Sequence, residues 1–140
     1  MRYLGLDLGT TSLGMAITDK TNTLVSPLKL IKFNSEDYET ALKEVVKVVL
    51  EYQITDIILG LPKNMDNTLG FAAERSMEFK ELLDKKGYNV YLEDERLTTV
   101  EALNILKNNG IKNIKEKKKT DMVSAVLILE GYLKRINNEK

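Results

Sequence analysis

A change in hydrophobic period near residue 34 most constrains how this chain can fold. Before it, residues 2–8, 13–18 and 23–33 read as apolar strands joined by short polar turns. Strands joined by tight turns favour an antiparallel meander. After it, apolar residues recur at helical spacing behind Ser35, which is the predicted N-cap of a first helix.

Helices and strands then alternate to the end of the chain. Strands are predicted at 56–61 and 88–92, and helices at 70–86, from Thr98 to about Gly110, and from Thr120 onward. The Lys-rich residues 112–119 read as a loop between the last two helices. A meander followed by alternating helices and strands predicts one α/β domain over residues 1–140, with a mixed five-stranded sheet flanked by helices.

The amino-acid inventory removes several chemistries. The chain has 140 residues with no cysteine and no histidine. A disulfide scaffold, a cysteine nucleophile, a Cys/His zinc site and a Ser-His-Asp triad are therefore excluded. Catalysis would have to use carboxylates, lysine, tyrosine, hydroxyls, or a hard metal ion held by oxygen ligands.

The charges are balanced overall but unevenly spread. The formal net charge is zero, with 21 basic and 21 acidic side chains. Residues 107–119 hold six lysines and one glutamate. This local excess of positive charge could bind a polyanionic partner even though the net charge of the whole chain is zero. There is no unbroken apolar run of membrane-spanning length and no signal-peptide pattern, so we expect a soluble cytoplasmic protein without membrane contact.

Acidic residues mark three places where chemistry could sit. Asp7 ends an apolar strand and precedes Gly9 and Gly14, Glu93–Glu95 end the fifth strand, and Asp121 follows three lysines. Each has an ordinary structural interpretation as well. Asp7 could cap its own turn, the acids at 93–95 could form a solvated turn, and Asp121 could stabilise a helix dipole.

Taken together, the three acidic places indicate a metal site. If the first and fifth strands are parallel, they end at the same edge of the sheet, where open α/β sheets bind ligands. Clustered carboxylates without His or Cys suit Mg²⁺ or Mn²⁺. Two such ions about 4 Å apart drive phosphodiester hydrolysis, and neighbouring lysines would hold a phosphate backbone.

The same residues resemble the YqgF family of RNase H-like proteins over nearly the whole chain. The family's members are described as Holliday junction resolvases and as nucleases that mature the end of pre-16S ribosomal RNA. The matching segments, in chain order, are Leu6-Asp7-Leu8-Gly9 with Gly14-Met15-Ala16, Ile58-Leu59-Gly60-Leu61-Pro62 with Asn64-Met65-Asp66, Asp94-Glu95-Arg96-Leu97-Thr98-Thr99-Val100-Glu101-Ala102, and Asp121 with Ser124-Ala125.

The resemblance implies an RNase H-like fold and a metal-dependent endonuclease that uses Mg²⁺ or Mn²⁺. It implies that Asp7, Glu95 and Asp121 are the catalytic, metal-binding carboxylates. The nucleic-acid-binding residues it implies are Arg96, Lys63, Asn64, Lys112, Lys115, Lys117, Lys118 and Lys119. A four-way junction cutter would need two active sites and hence a homodimer, whereas an end-trimming nuclease could act as a monomer.

This chain departs from the family pattern at three places. Thr11 and Ser12 stand where the family often has basic residues, and Asp66-Asn67-Thr68 replaces Asp-Gly-Thr in the polar loop. Residues 57–61 also carry no acid, although many RNase H-like nucleases place their second acid on that strand. Glu95 is therefore the candidate for the second carboxylate.

Two other functions stay open at this stage. Asp7-Leu8-Gly9-Thr10-Thr11-Ser12 also resembles the phosphate loop of actin and sugar kinases, but those enzymes enclose ATP between two such domains. Calorimetric ATP binding would support that alternative. The other is a nucleic-acid-binding protein that kept the fold without catalysis, and a Mg²⁺-dependent cleavage assay would distinguish it.

Overall fold

The computed structural model describes residues 2–62, 70–94 and 114–138, with side chains from 123 to 137 in the last range. Within these ranges the chain forms, in order, β1 (Arg2–Leu8), β2 (Ser12–Thr18), β3 (Val25–Lys32), α1 (Tyr38–Tyr52), β4 (Ile54–Leu61), α2 (Phe71–Lys85), β5 (Asn89–Asp94) and α3 (Ile114–Asn138). None of the helices in this part of the chain has the length and apolar character that crossing a bilayer requires.

The strands form one mixed sheet in the order β3-β2-β1-β4-β5. The pairs β1–β2 and β2–β3 are antiparallel, and β4 pairs in parallel with both β1 and β5. The predicted meander is therefore confirmed, and the first and fifth strands are parallel, which is the condition for the predicted shared edge. We call the edge where β1, β4 and β5 end the C-terminal edge of the sheet.

Alternation along the strands divides the interior into two cores. One parity of β1 (Leu4, Leu6 and Leu8) packs with Val45, Val48 and Val49 of α1 and with Phe79 and Leu83 of α2. The other face carries a smaller cluster of buried side chains, formed by Ala16 and Ile58 with α3 residues Ala125, Ile128, Leu129 and Leu133. The sheet is therefore covered by α1 and α2 on one face and by α3 on the other.

Close contact between β1 and α3 depends on Gly5. A Cβ built on Gly5 would lie 2.9 Å from the Ala125 carbonyl oxygen and 2.9 Å from Leu129 Cβ. Neither atom is the free end of a flexible side chain, so any larger residue would have to displace the helix. The helix backbone thus sits directly on the strand that ends in Asp7.

Gly5→Ala is accordingly expected to lower the free energy of unfolding by roughly 1–3 kcal/mol, the usual cost of overpacking a close-packed interior. Chemical denaturation of the two proteins measures this. Gly9→Ala is the matched control, because its added Cβ would approach Ser12 no closer than 3.4 Å. Equal stability of the Gly5 and Gly9 variants would contradict the contact described above.

The predicted start of the first helix and the predicted end of the fifth strand are wrong. Helix α1 begins at Tyr38 behind the N-cap Asp37, not behind Ser35. The Asp37 carboxylate accepts hydrogen bonds from the Thr40 amide and hydroxyl, and Glu36 has φ 62°, which no α-helical residue adopts. Strand β5 continues to Asp94, so two of the three consecutive acids belong to the strand rather than to a turn.

The last helix differs most from the prediction. It begins at Ile114, so the loop predicted over 112–119 is helical from that residue, and Thr120 does not cap the helix. Lysine and glutamate are good helix formers, and no glycine or proline separates Ile114 from the apolar positions that follow. The predicted helix from Thr98 to about Gly110 lies outside the described residues.

Candidate active site

Asp7 lies near the end of β1, at the C-terminal edge and on the face covered by α3. Leu6 and Leu8 on either side of it point into the core beneath α1 and α2. Alternation along the strand therefore gives Asp7 the same face as Gly5, which contacts α3. The Asp7 residue is half-buried. The sequence that makes β1 apolar on one face thus presents a carboxylate on the other.

Glycine occupies the neighbouring strands at the level of Asp7. Gly14 of β2 is its register partner. On the other side Leu6 pairs with Leu59 of β4, and one further residue along both strands brings Asp7 level with Gly60. Since glycine has no side chain, neither neighbouring strand places one beside the carboxylate at this level of the sheet.

Helix α3 runs antiparallel to β1. Its residues Ala125 and Leu129 contact Gly5, and further along the helix the Tyr132 ring meets Tyr3, with centroids 6.2 Å apart. Its N-terminal turns therefore extend from Gly5 toward the C-terminal edge. Asp121 belongs to this part of the helix backbone, one turn before Ala125.

Strand β5 contributes an acid at the same level, but an ion pair already holds it. Glu93 is the register partner of Gly60 and is only 8% exposed. Its two carboxylate oxygens lie 2.9 Å from Nη1 and 2.6 Å from Nη2 of Arg135 on α3. Glu93 therefore joins β5 to α3, and the interpretation of residue 93 as part of a solvated acidic turn is wrong.

Burial raises the pKa of the Glu93 carboxyl, and the Arg135 guanidinium opposes that rise. Between the unfolded pKa of about 4.3 and the higher folded value, the folded protein holds a proton that the unfolded chain lacks. The contribution of Glu93 to stability therefore falls as pH rises through that window. Removing the guanidinium would extend the window upward.

Arg135→Ala is expected to destabilise the protein by roughly 1–3 kcal/mol at pH 7, because it leaves a buried carboxylate without its charged partner. The loss should shrink at pH 5, where a larger fraction of Glu93 is protonated. Urea denaturation at the two pH values measures both effects, with the exposed neighbour Lys134→Ala as control. A loss of equal size at both pH values would contradict the assigned role of Glu93.

The remaining predicted site residues are only partly covered by the structure. Lys115, Lys117, Lys118 and Lys119 belong to the first turns of α3, and their side chains, like that of Asp121, lie outside the described part. Glu95, Arg96, Lys63, Asn64 and Lys112 lie outside the described residues altogether. Within 2–62, 70–94 and 123–137, no group of three acidic side chains is placed to hold a metal ion.

The pair of Glu93 and Arg135 was not predicted from the sequence. The two residues are 42 positions apart and belong to no shared local motif. An acidic residue on the buried face of β5 would have indicated a charged partner. The predicted strand ended at residue 92, so Glu93 was not recognised as part of it. The role of Gly5 was also not predicted, because no local sequence pattern shows which helix covers a strand.

Comparison with known proteins agrees with this architecture. The model of the RuvX family, described as a Holliday junction resolvase family, matches residues 1–135. A relative from Ruminiclostridium cellulolyticum named "Putative pre-16S rRNA nuclease" is 41% identical, covering 100% of this chain and 99% of its own. A Bacillus subtilis relative of the same name is 40% identical over 98% of this chain and 100% of its own.

Solved structures show the same fold at low sequence identity. Thermus thermophilus RuvC in complex with a Holliday junction substrate matches with a TM-score of 0.59 and 15% identity, covering 96% of each chain. The fowlpox virus resolvase bound to Holliday junction DNA matches with a TM-score of 0.58 and 15% identity, covering 97% of this chain and 99% of that one. The predicted RNase H-like fold is confirmed.

The family match covers nearly the whole chain, and relatives at about 40% identity are aligned over their full length. It agrees with the resemblance to the YqgF family drawn from the sequence motifs. This chain belongs to the RuvX (YqgF) family of Holliday junction resolvases, and it is a nuclease, a hydrolase of phosphodiester bonds.

Proposed function

We propose that this protein is a metal-dependent endonuclease that matures the 5′ end of pre-16S ribosomal RNA. In this proposal Asp7, Glu95 and Asp121 hold Mg²⁺ or Mn²⁺. The observation that carries the proposal is the position of Asp7. Asp7 lies at the C-terminal edge of the sheet between two glycines, on the face that α3 covers. The N-terminal half of α3 extends toward this edge.

The donor set fits a hard divalent cation. Oxygen is the only ligand type at the proposed site, since the chain contains no histidine and no cysteine. Glu95 comes next along the chain after Asp94, the last residue of β5, and Glu93 of that strand faces α3. Asp121 precedes Ala125 by one turn of the helix that contacts Gly5. These relations support one shared site.

Divalent cations in such a site supply an activated water and stabilise the leaving oxygen of a phosphodiester. The protein's own part is to orient the carboxylates. Asp7 is fixed by a strand that is paired on both sides, and α3 is fixed against that strand at Gly5. The pair of Glu93 and Arg135 links the strand that leads to Glu95 with the helix that carries Asp121.

Cations around the carboxylates would hold the substrate backbone. Lys115, Lys117, Lys118 and Lys119 occupy the first turns of α3, before and beside Asp121. Lys112, Arg96, Lys63 and Asn64 are assigned to the same role on the family resemblance. Phosphate contacts of this kind position the nucleic acid without reading its sequence.

Ribosomal RNA is the proposed substrate because the relatives at about 40% identity are named "Putative pre-16S rRNA nuclease". The solved structure bound to a Holliday junction shares only 15% identity. Processing of a ribosomal precursor also implies a cytoplasmic protein. If a four-way junction were the substrate, a homodimer with two active sites would be required.

A cleavage assay tests this proposal. Pre-16S RNA with its 5′ extension and a four-way DNA junction are each incubated with the protein in Mg²⁺, in Mn²⁺ and in EDTA. We expect cleavage of the RNA precursor that depends on the metal. Cleavage of the junction alone would move the function to junction resolution, and binding without cleavage of either substrate would favour the non-catalytic alternative.

A further inference from the structure

An open cleft at the C-terminal edge is unused by the mechanism above. It lies between the starts of α1 and α2 and has a volume of about 410 Å³. That volume is within the range of small-ligand pockets. The residues that line it are Glu36, Tyr38, Phe71, Glu74, Arg75 and Glu78.

One wall of the cleft is an exposed aromatic ring. Phe71, the first residue of α2, is 87% exposed. The other wall is Tyr38, which edge-to-face contacts with Phe33 and Phe79 hold in place, at centroid distances of 6.0 and 6.4 Å. One wall is therefore rigid, and the other presents an aromatic surface to solvent.

The cleft adjoins the candidate active site. The amide of Glu36, at its rim, donates a hydrogen bond of 2.9 Å to the Thr10 carbonyl. Thr10 follows Asp7 by three residues, which can span at most about 11 Å of extended chain. Successive phosphates of a stacked strand rise about 3.4 Å each, so a strand cut at Asp7 reaches this rim within a few nucleotides.

The charges of the cleft select what can enter it. Glu36, Glu74 and Glu78 outnumber Arg75, and the carboxylates disfavour a phosphate. A neutral nucleobase meets no such repulsion. Carboxylate oxygens also accept hydrogen bonds from the exocyclic amino groups of bases, as they do from cytosine N4.

We propose that this cleft binds an unpaired nucleobase of the substrate, stacked on the Phe71 ring, and that it favours bases with an exocyclic amino group over uracil. The inference rests on the proposed nuclease function and adds to it a substrate class, namely nucleic acid that is single-stranded close to the cut. Stacking on an aromatic side chain contributes about 1–3 kcal/mol per base.

Fluorescence tests the proposal directly, because the chain contains no tryptophan. Phe71→Trp gives a single-tryptophan protein whose emission should be quenched when a base stacks on the indole. The probes are short oligocytidylate and oligouridylate RNAs in metal-free buffer. Leu50→Trp is the matched control, since Leu50 is 73% exposed and lies on α1.

We expect saturable quenching of Phe71→Trp that is stronger with oligocytidylate, and no quenching of Leu50→Trp. We also expect Phe71→Ala to weaken binding of oligocytidylate by roughly 5- to 150-fold, which is the stacking energy above converted at 1.36 kcal/mol per tenfold. Phe71→Tyr should retain wild-type affinity. Leu50→Ala should bind like wild type, and neither alanine variant should alter folding.

The possible failures are distinguishable. If the wild-type protein cleaves RNA but Phe71→Ala and Leu50→Ala both bind like wild type, the base cleft is refuted and the nuclease function stands. If the wild-type protein neither binds nor cleaves nucleic acid, the proposed function fails and the cleft proposal fails with it. Equal quenching by the two oligonucleotides would refute the preference for amino-bearing bases.

Discussion

Asp7→Asn is expected to reduce metal-dependent cleavage by on the order of a thousandfold while the protein stays folded. The substitution keeps the size of the side chain and removes its charge, so the β1 register with Gly14 is preserved. What is lost is a ligand that supports several kcal/mol of charge stabilisation in the transition state, and each 1.36 kcal/mol is tenfold in rate. Initial cleavage rates in Mg²⁺ measure the effect, and chemical denaturation checks the fold.

Asp56→Asn provides the matched control. Asp56 is also a strand carboxylate, but it lies in β4 beside Tyr3, at the opposite edge of the sheet, and accepts a hydrogen bond from Asn89. We expect this variant to cleave at the wild-type rate. Full activity of Asp7→Asn would remove Asp7 from the mechanism.

Replacing Lys117, Lys118 and Lys119 together with glutamine is expected to weaken nucleic-acid binding about a hundredfold at 0.1 M salt. Each single-strand phosphate contact contributes about −0.7 to the slope of log affinity against log salt concentration, so three lost contacts flatten that slope by about 2. The affinity loss follows by extrapolating this slope difference from 1 M salt. It should be similar for different sequences, because phosphate contacts carry no base information.

A second triple variant separates this effect from a general loss of positive charge. Lys43, Lys47 and Lys86 are exposed around α1 and α2, away from α3. Their replacement with glutamine removes the same charge and should leave the salt slope unchanged. If both triple variants bind alike, the first turns of α3 have no special part in holding the backbone.

The spacing of apolar residues and the turn-forming residues between the elements made the fold predictable. The apolar run of residues 2–8 indicated a strand covered on both faces, and the structure covers it with α1 and α2 on one face and α3 on the other. The parallel relation of β1 and β5 was only a condition at the sequence level, and the structure meets it through β4. Under that condition the C-terminal edge could be predicted as the site of function.

Contacts between distant residues were not predictable from the sequence. The start of α3 was placed at Thr120 because a lysine run suggested a solvated loop, whereas lysine's helix propensity extends the helix back to Ile114. The ion pair of Glu93 with Arg135 and the close packing of α3 against Gly5 depend only on tertiary structure. The exposure of Phe71 was also not predictable from the sequence, because an aromatic residue at a helix start is more often part of a core.

Direct titration with Mn²⁺ tests the central claim, that three carboxylates share one metal site, without assuming a substrate. Calorimetry on the wild-type protein is compared with Asp7→Asn, Glu95→Gln, Asp121→Asn and the control Asp56→Asn. We expect the wild type and the control to bind Mn²⁺ equally, and each of the other three variants to bind at least about tenfold more weakly because it has lost a charged ligand. Unchanged Mn²⁺ affinity in those three variants would contradict it.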